Sequence, residues 1–118
     1  MGDGCMMGRE YKFDDAHGEL VWVEVVGEYV DGGVDLSAGH HGGDGNTEWF
    51  YECDDADVVI QWLVDEGVEF ESDRSMAFNR AYIQHVLIEG DATEAELLDE
   101  AACWTDEEIS LKLQLIDR

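Results

Sequence analysis

Residues 54–72 read DDADVVIQWLVDEGVEFES, and this stretch decides the fold class. It parses as a helix, a stop and a strand. Asp54 or Asp55 can cap the helix, because a side-chain oxygen there accepts an N–H that has no partner inside the helix. Asp57 falls in the first turn, where the helix dipole favours negative charge. Val58, Val59, Trp62 and Leu63 recur at i, i+1, i+4 and i+5, which predicts one apolar stripe. Gly67 is the expected stop, since glycine takes a left-handed backbone without a Cβ clash. Val68 and Phe70 then alternate with Glu69 and Glu71 in strand period.

Towards the N-terminus the periodicity is that of strands. Residues 47–53 form an aromatic-dense strand around Trp49, Phe50 and Tyr51. Residues 38–46, AGHHGGDGN, hold four glycines and read as a flexible loop. A short strand over 34–37 is preceded by Asp31-Gly32-Gly33, a hairpin turn. The strongest strand is 19–30. Val21, Val23 and Val25 line one face, while Leu20 and Trp22 share the other with Glu24. Gly27 breaks that alternation and marks a bulge. Asp15-Ala16-His17-Gly18 is a turn by composition. Residues 11–14 are a first strand with Tyr11 and Phe13 on one face, and residues 1–10 form a flexible arm.

Towards the C-terminus the period is helical. After a polar joint at 72–75, a helix over 76–88 carries Tyr82, Ile83, Val86 and Leu87 on one side and ends at Gly90. Thr93 and Glu96 form a capping box, in which each side chain takes a backbone N–H of the other's residue. The helix that follows runs through Leu97, Leu98, Ala101 and Ala102. Thr105 and Glu108 repeat the box and start a last helix over 106–116, although Ile109, Leu111, Leu113 and Leu115 also alternate like a strand. Residues 11–71 are β-rich and 76–118 helical. Each part is too small to hold a comfortable core alone, so the expectation is a single α+β domain over 1–118. A small antiparallel sheet from the N-terminal half packs with three to four helices, mostly from the C-terminal half.

Composition bounds the function. No apolar run is long enough to cross a bilayer, and no basic segment with an apolar run behind it opens the chain, so neither a membrane span nor a signal peptide is expected. Cys5, Cys53 and Cys103 are scattered and odd in number, which points to a reducing, cytoplasmic setting rather than a disulfide framework. Thirty Asp and Glu oppose six Lys and Arg, a net charge of −24. Direct binding of nucleic acid is disfavoured by that charge. A disordered acidic chain is disfavoured by 10% aromatic residues and periodic apolar ones. Two explanations remain. The acidity can serve tolerance of a salty cytoplasm, in which salt screens the repulsion to within about 3 Å at 1 M. It can also imitate nucleic acid and draw on counterion release from a basic groove.

Candidate sites follow from the same residues. Asp54, Asp55 and Asp57 crowd one helix start. Glu69 and Glu71 stand about 6.6 Å apart on one face of a strand, and Glu96 and Glu100 about 6 Å apart on a helix. These seven are the expected partner-binding residues, for rows of carboxylates can stand in for phosphates. His40 and His41, with Asp44, could hold a metal if His17, Cys53 or Cys103 joined them. Adjacent histidines tend to diverge on an extended chain, and no metal-ligand spacing accompanies them, so no metal or cofactor is expected. Asp44 to Glu48 opens like a calcium loop, but Trp49 stands where the turn glycine belongs and Asp55 where Glu is usual. No catalytic elbow or phosphate loop is present, and His85 reads as a core or boundary packing residue. The last three helices could form a DNA-reading triple, but Asp106, Glu107 and Glu108 sit at the end that would approach phosphates.

The expectation is therefore a small non-enzymatic acidic protein. It would bind the basic nucleic-acid groove of another protein, as an anti-defence inhibitor or regulator would. The alternatives are a haloadapted structural or regulatory module, viral origin included, and a small metal-dependent enzyme around His40 and His41.

Overall fold

The computed structural model describes residues 9–41 and 47–117. Strands β1 (Glu10–Asp14), β2 (Leu20–Glu28), β3 (Val34–His40) and β4 (Thr47–Cys53) make one antiparallel sheet in chain order. Helices α1 (Ala56–Asp65) and α2 (Asp73–Ala81) follow, and α2 continues into a π-helical segment, Tyr82–Ile88. Helices α3 (Glu94–Ala101) and α4 (Asp106–Lys112) complete an α+β architecture. The helices cover one face of the sheet. Val21, Val23, Val25, Leu36 and Ala38 on that face are fully buried against Val59, Ile60, Leu63, Ile83 and Leu87. Each such side chain contributes about 2 kcal/mol by leaving water. The same core continues through Leu97, Trp104, Ile109, Leu113 and Ile116, so sheet and C-terminal helices share it.

The local devices follow the chemistry. Asp55 caps α1 by accepting from the Asp57 N–H at 2.9 Å. Both capping boxes form, at Thr93 with Glu96 and at Thr105 with Glu108. The Thr105 backbone N–H, and after it the Thr105 hydroxyl, hold the Glu108 carboxyl below its usual range. Gly67 and Gly90 take left-handed backbones just past their helices. The β2–β3 hairpin turns at Gly32 and Gly33, and its register shifts between Val25 and Gly27, where the bulge was expected.

Several expectations need correction. Residues 68–71 are not a strand. A single backbone bond, Ala16 N–H to Glu69 O at 2.7 Å, ties them to the β1–β2 turn, and no ladder forms. The joint at 72–75 is already helix: Ser72 caps α2 and accepts from the Ser75 N–H. The last helix ends at Lys112, and 113–115 are turns, so neither the longer helix nor the strand over 109–116 forms. On α1, Val58 is exposed, and the buried stripe runs through Ala56, Val59, Ile60 and Leu63. Of the expected arm, residues 1–8 lie outside the described residues. Arg9 and Glu10 belong to the fold: Glu10 opens β1, and the Arg9 carbonyl accepts from Val25 N–H at 2.8 Å.

The largest correction concerns 38–46. Ala38, Gly39 and His40 are buried strand residues of β3, and residues 42–46 lie outside the described residues. Gly39 is present for close approach rather than flexibility. It pairs with Trp22, whose ring covers it, and a Cβ at Gly39 would stand 2.3 Å from Trp22 Cζ2. Substituting Gly39→Ala should therefore destabilise the fold by about 1–3 kcal/mol through overpacking. Urea unfolding measures it. Adding Trp22→Leu should recover part of the loss, and a Gly39→Ala chain as stable as the parent would contradict the packing.

Candidate functional site: an acidic junction between α1 and the π-helical segment

Gln84 is the residue that organises the acidic surface. It lies buried in the π-helical segment, and its carboxamide is fully used. Oε1 accepts from the Ala56 N–H at 2.8 Å, a first-turn donor of α1. Nε2 donates to the Asp54 carbonyl at 3.0 Å and to Glu89 Oε2 at 2.7 Å. The start of α1 is thereby fastened to the end of the π-helical segment. Glu89 Oε1 in turn stands 3.0 Å from His85 Nδ1, and Asp91 Oδ1 stands 3.5 Å from the same nitrogen.

Two hollows flank this joint. One, of about 320 Å³, is lined by His85, Asp91, Ala92, Glu96, Leu97 and Glu100. Glu96 also closes the Thr93 capping box, and Glu100 accepts from the Trp104 indole at 3.3 Å. The other hollow, of about 290 Å³, lies where β4 meets α1. Phe50, Tyr51 and Val58 line it together with Glu52, Asp54 and Asp55. Both concavities combine carboxylates with apolar side chains, Leu97 in the first and Phe50 and Val58 in the second. They suit the stem and charge of a lysine or arginine side chain.

The seven expected residues are thus divided. Asp54, Asp55, Glu96 and Glu100 border the junction. Asp57 does not face outward: it is buried, and its carboxylate takes the Arg80 guanidinium through Nε to Oδ1, with Nη2 to Oδ2 at 3.3 Å. Glu69 and Glu71 are exposed on a coil elsewhere, and Glu69 Oε1 meets His17 Nε2 at 2.7 Å. Sequence reasoning missed Gln84, Glu89 and Asp91. His85, expected to pack in the core or at its boundary, is half-exposed at the boundary beside its carboxylates.

The basic residues explain why carboxylate dominates the surface. Arg9 donates to the carbonyls of Val86, at 2.8 Å, and Leu87, at the end of the π-helical segment. Arg74 donates to Ala101 O at 2.6 Å and Trp104 O at 2.9 Å, at the end of α3. Helix ends leave such carbonyls without partners, and the dipole there favours cations. Arg80 holds Asp57. Lys112 lies 4.6 Å above the Trp104 ring, and Lys12 is 3.5 Å from Glu10. Among the described residues, the three arginines and Lys112 are engaged within the fold, and Lys12 pairs with Glu10 at the surface.

Metal-ligating residues fall in two places. His85 Nδ1 and carboxylate oxygens of Glu89 and Asp91 lie within 4.8 Å of one another, a spacing a divalent cation could use. His40 and His41 diverge, as successive residues along an extended chain do. His40 is buried, with Nε2 3.3 Å from Glu66 Oε1 and Nδ1 without a partner. His41 is exposed, its ring centroid 5.2 Å from Trp22's. The fold brings His17 and His40 to one small hollow of about 140 Å³ with Asp15, Glu19 and Glu66. Asp44 lies outside the described residues, as does Cys5, and the stretch that would continue the calcium-like loop is strand β4 from Thr47 to Cys53, with Asp55 capping α1. Cys53 is buried and Cys103 exposed. Comparison with family models, curated proteins and solved structures gives no match.

Two outcomes follow from this geometry. Gln84→Met leaves the Ala56 N–H and the Asp54 carbonyl without their partner, and should cost about 2–3 kcal/mol in urea unfolding. A neutral result would contradict the joint. Burial, above all, pushes the Cys53 thiol up from its ordinary range. At mildly alkaline pH, iodoacetamide should label Cys103 and spare Cys53 until the chain is unfolded, as peptide mass mapping reports.

Proposed function

We propose that this chain is a non-enzymatic acidic protein that occupies the basic nucleic-acid groove of another protein and so inhibits or regulates it. Such a role, of anti-defence type, belongs to a cytoplasmic setting. The observation that carries the reading is the use of the cations. The three described arginines are held by the fold, while Gln84 ties the Asp54 carbonyl to the Glu89 carboxylate, with Asp54 and Asp55 lining one hollow and Asp91, Glu96 and Glu100 the other. A groove built for phosphates meets there a fixed set of carboxylates. Binding would release the groove's anions and steer association from a distance.

Haloadaptation is favoured by a different observation. Helices α2, α3 and α4 carry exposed acid in their first turns, and the exposed side of β1 presents Glu10 and Asp14. Acidity spread in that manner serves solvation as well as recognition.

The test is displacement of labelled duplex DNA or RNA from a panel of nucleic-acid-binding proteins at physiological salt. Displacement by the parent chain is expected for the cognate class. The Asp54→Asn/Glu96→Gln/Glu100→Gln variant should displace about tenfold less well, since it neutralises the junction. The Glu69→Gln/Glu71→Gln variant should match the parent. A chain that displaces nothing across the panel, or one equally impaired by both variants, would contradict the reading.

A further inference from the structure

The two edges of the sheet are not alike. β1 is short and presents Glu10, Lys12 and Asp14 on its open face, the charged pattern that blunts an edge. β4 is longer and leaves two of its three aromatics exposed, while Phe50 packs on the core. Trp49 pairs with Ser37 on the open face of the sheet and is 51% exposed, and Tyr51 is 71% exposed. Among the described residues β4 has β3 on one side and no strand on the other. Its ladder with β3 runs from Thr47 to Phe50 and then shifts. Glu52 takes a left-handed backbone, φ 47°, and donates its N–H to Asp35 Oδ1 at 2.9 Å. Alternate residues of an edge strand aim N–H and C=O away from the sheet, where one more strand can pair, and the Trp49 N–H meets there only the exposed Glu48 carboxylate of its own strand, at 3.1 Å.

We infer that the free edge of β4 receives an extended basic segment of the partner as an added strand. Lysine or arginine side chains of that segment seat in the hollow of Phe50, Val58, Asp54 and Asp55. The inference rests on the function proposed above and deepens it by giving the form of the partner's segment. Charge chooses the occupant. A second copy of this chain would bring another net −24 against Glu48, Glu52, Asp54 and Asp55, so the edge disfavours self-pairing. A basic strand meets the reverse. An added strand lies about 4.8 Å away, and its side chains alternate between the two sides of the sheet. Those on the helix side reach the hollow, where stems lie on Phe50 and Val58 and charges meet Asp54 and Asp55. Those on the open side lie against Trp49, whose ring face attracts cations and packs β-branched residues, while Tyr51 stands at the hollow itself.

The experiment uses the full chain, isotope-labelled, and a short synthetic peptide that alternates Lys with Val and Thr. A second peptide carries Glu for Lys. A third has N-methyl groups on alternate amides, which keep the charge and remove the strand's hydrogen bonds. The Lys peptide should slow amide exchange over residues 47–51 and shift Tyr51 and Val58. The N-methyl peptide should bind about tenfold more weakly, and the Glu peptide should not bind. Tyr51→Lys, a change at an exposed ring, should weaken the Lys peptide by about tenfold. The Asp91→Asn/Glu96→Gln/Glu100→Gln variant should leave it unchanged. Equal binding of the N-methyl peptide, shifts confined to the His85 hollow, or no binding of the Lys peptide would overturn the inference. A chain that takes the peptide on β4 but displaces no nucleic acid keeps this inference and loses the wider function. A chain that displaces nucleic acid with β4 unprotected does the opposite.

Discussion

A chain of net charge −24 folds only where the gain from its core exceeds the repulsion among its carboxylates. Few cations are available to offset that repulsion, so their placement matters. The three described arginines are not scattered over the surface. Two close the carbonyl ends of helical segments, and the third pairs with a buried carboxylate. Each joins parts of the chain far apart in sequence: Arg9 reaches Val86, Arg74 reaches Trp104, and Arg80 reaches Asp57. A charge-assisted bond at a half-buried position is stronger than a surface pair in water. The consequence is a surface on which negative charge goes largely unanswered.

The fold was legible where one local rule acted alone. The capping boxes at Thr93 and Thr105, the stops at Gly67 and Gly90, and the bulge at Gly27 follow from a few neighbouring residues. It was illegible where a distant residue decided. Gly39 looks like loop until Trp22 is laid over it, and His40 looks solvated until Trp62 and Glu66 close around it. Residues 68–71 alternate like a strand but find no neighbouring strand to pair with. The π-helical turn has no signal in the periodicity, and it moves Gln84 into the interior, where a polar residue was not expected.

The candidate site was half legible for the same reason. Asp54, Asp55, Glu96 and Glu100 were visible as carboxylates at suitable spacing. That they border one junction depends on a glutamine amide joining Ala56, Asp54 and Glu89, which no spacing rule reveals. Asp57 stood beside Asp54 and Asp55 in the sequence but points the other way, because the first turn of a helix faces both core and solvent. One sequence signal for its role was available: Arg80 is among only six basic residues, and a rare cation on a half-apolar helix invites a buried partner.

Mimicry and salt adaptation differ in what they ask of the isolated chain. A nucleic-acid mimic must stay folded at ordinary ionic strength, with its carboxylates held ready. The arginine contacts and the shared core make that possible without screening. The decisive measurement is thermal unfolding followed by circular dichroism from about 0.05 M to about 3 M KCl, a range over which the Debye length falls from beyond 10 Å to below 3 Å. A cooperative transition well above room temperature at the lowest salt is the expected result. A chain that is unfolded there and folds only near molar salt would contradict the partner-binding reading and assign the acidity to its solvent.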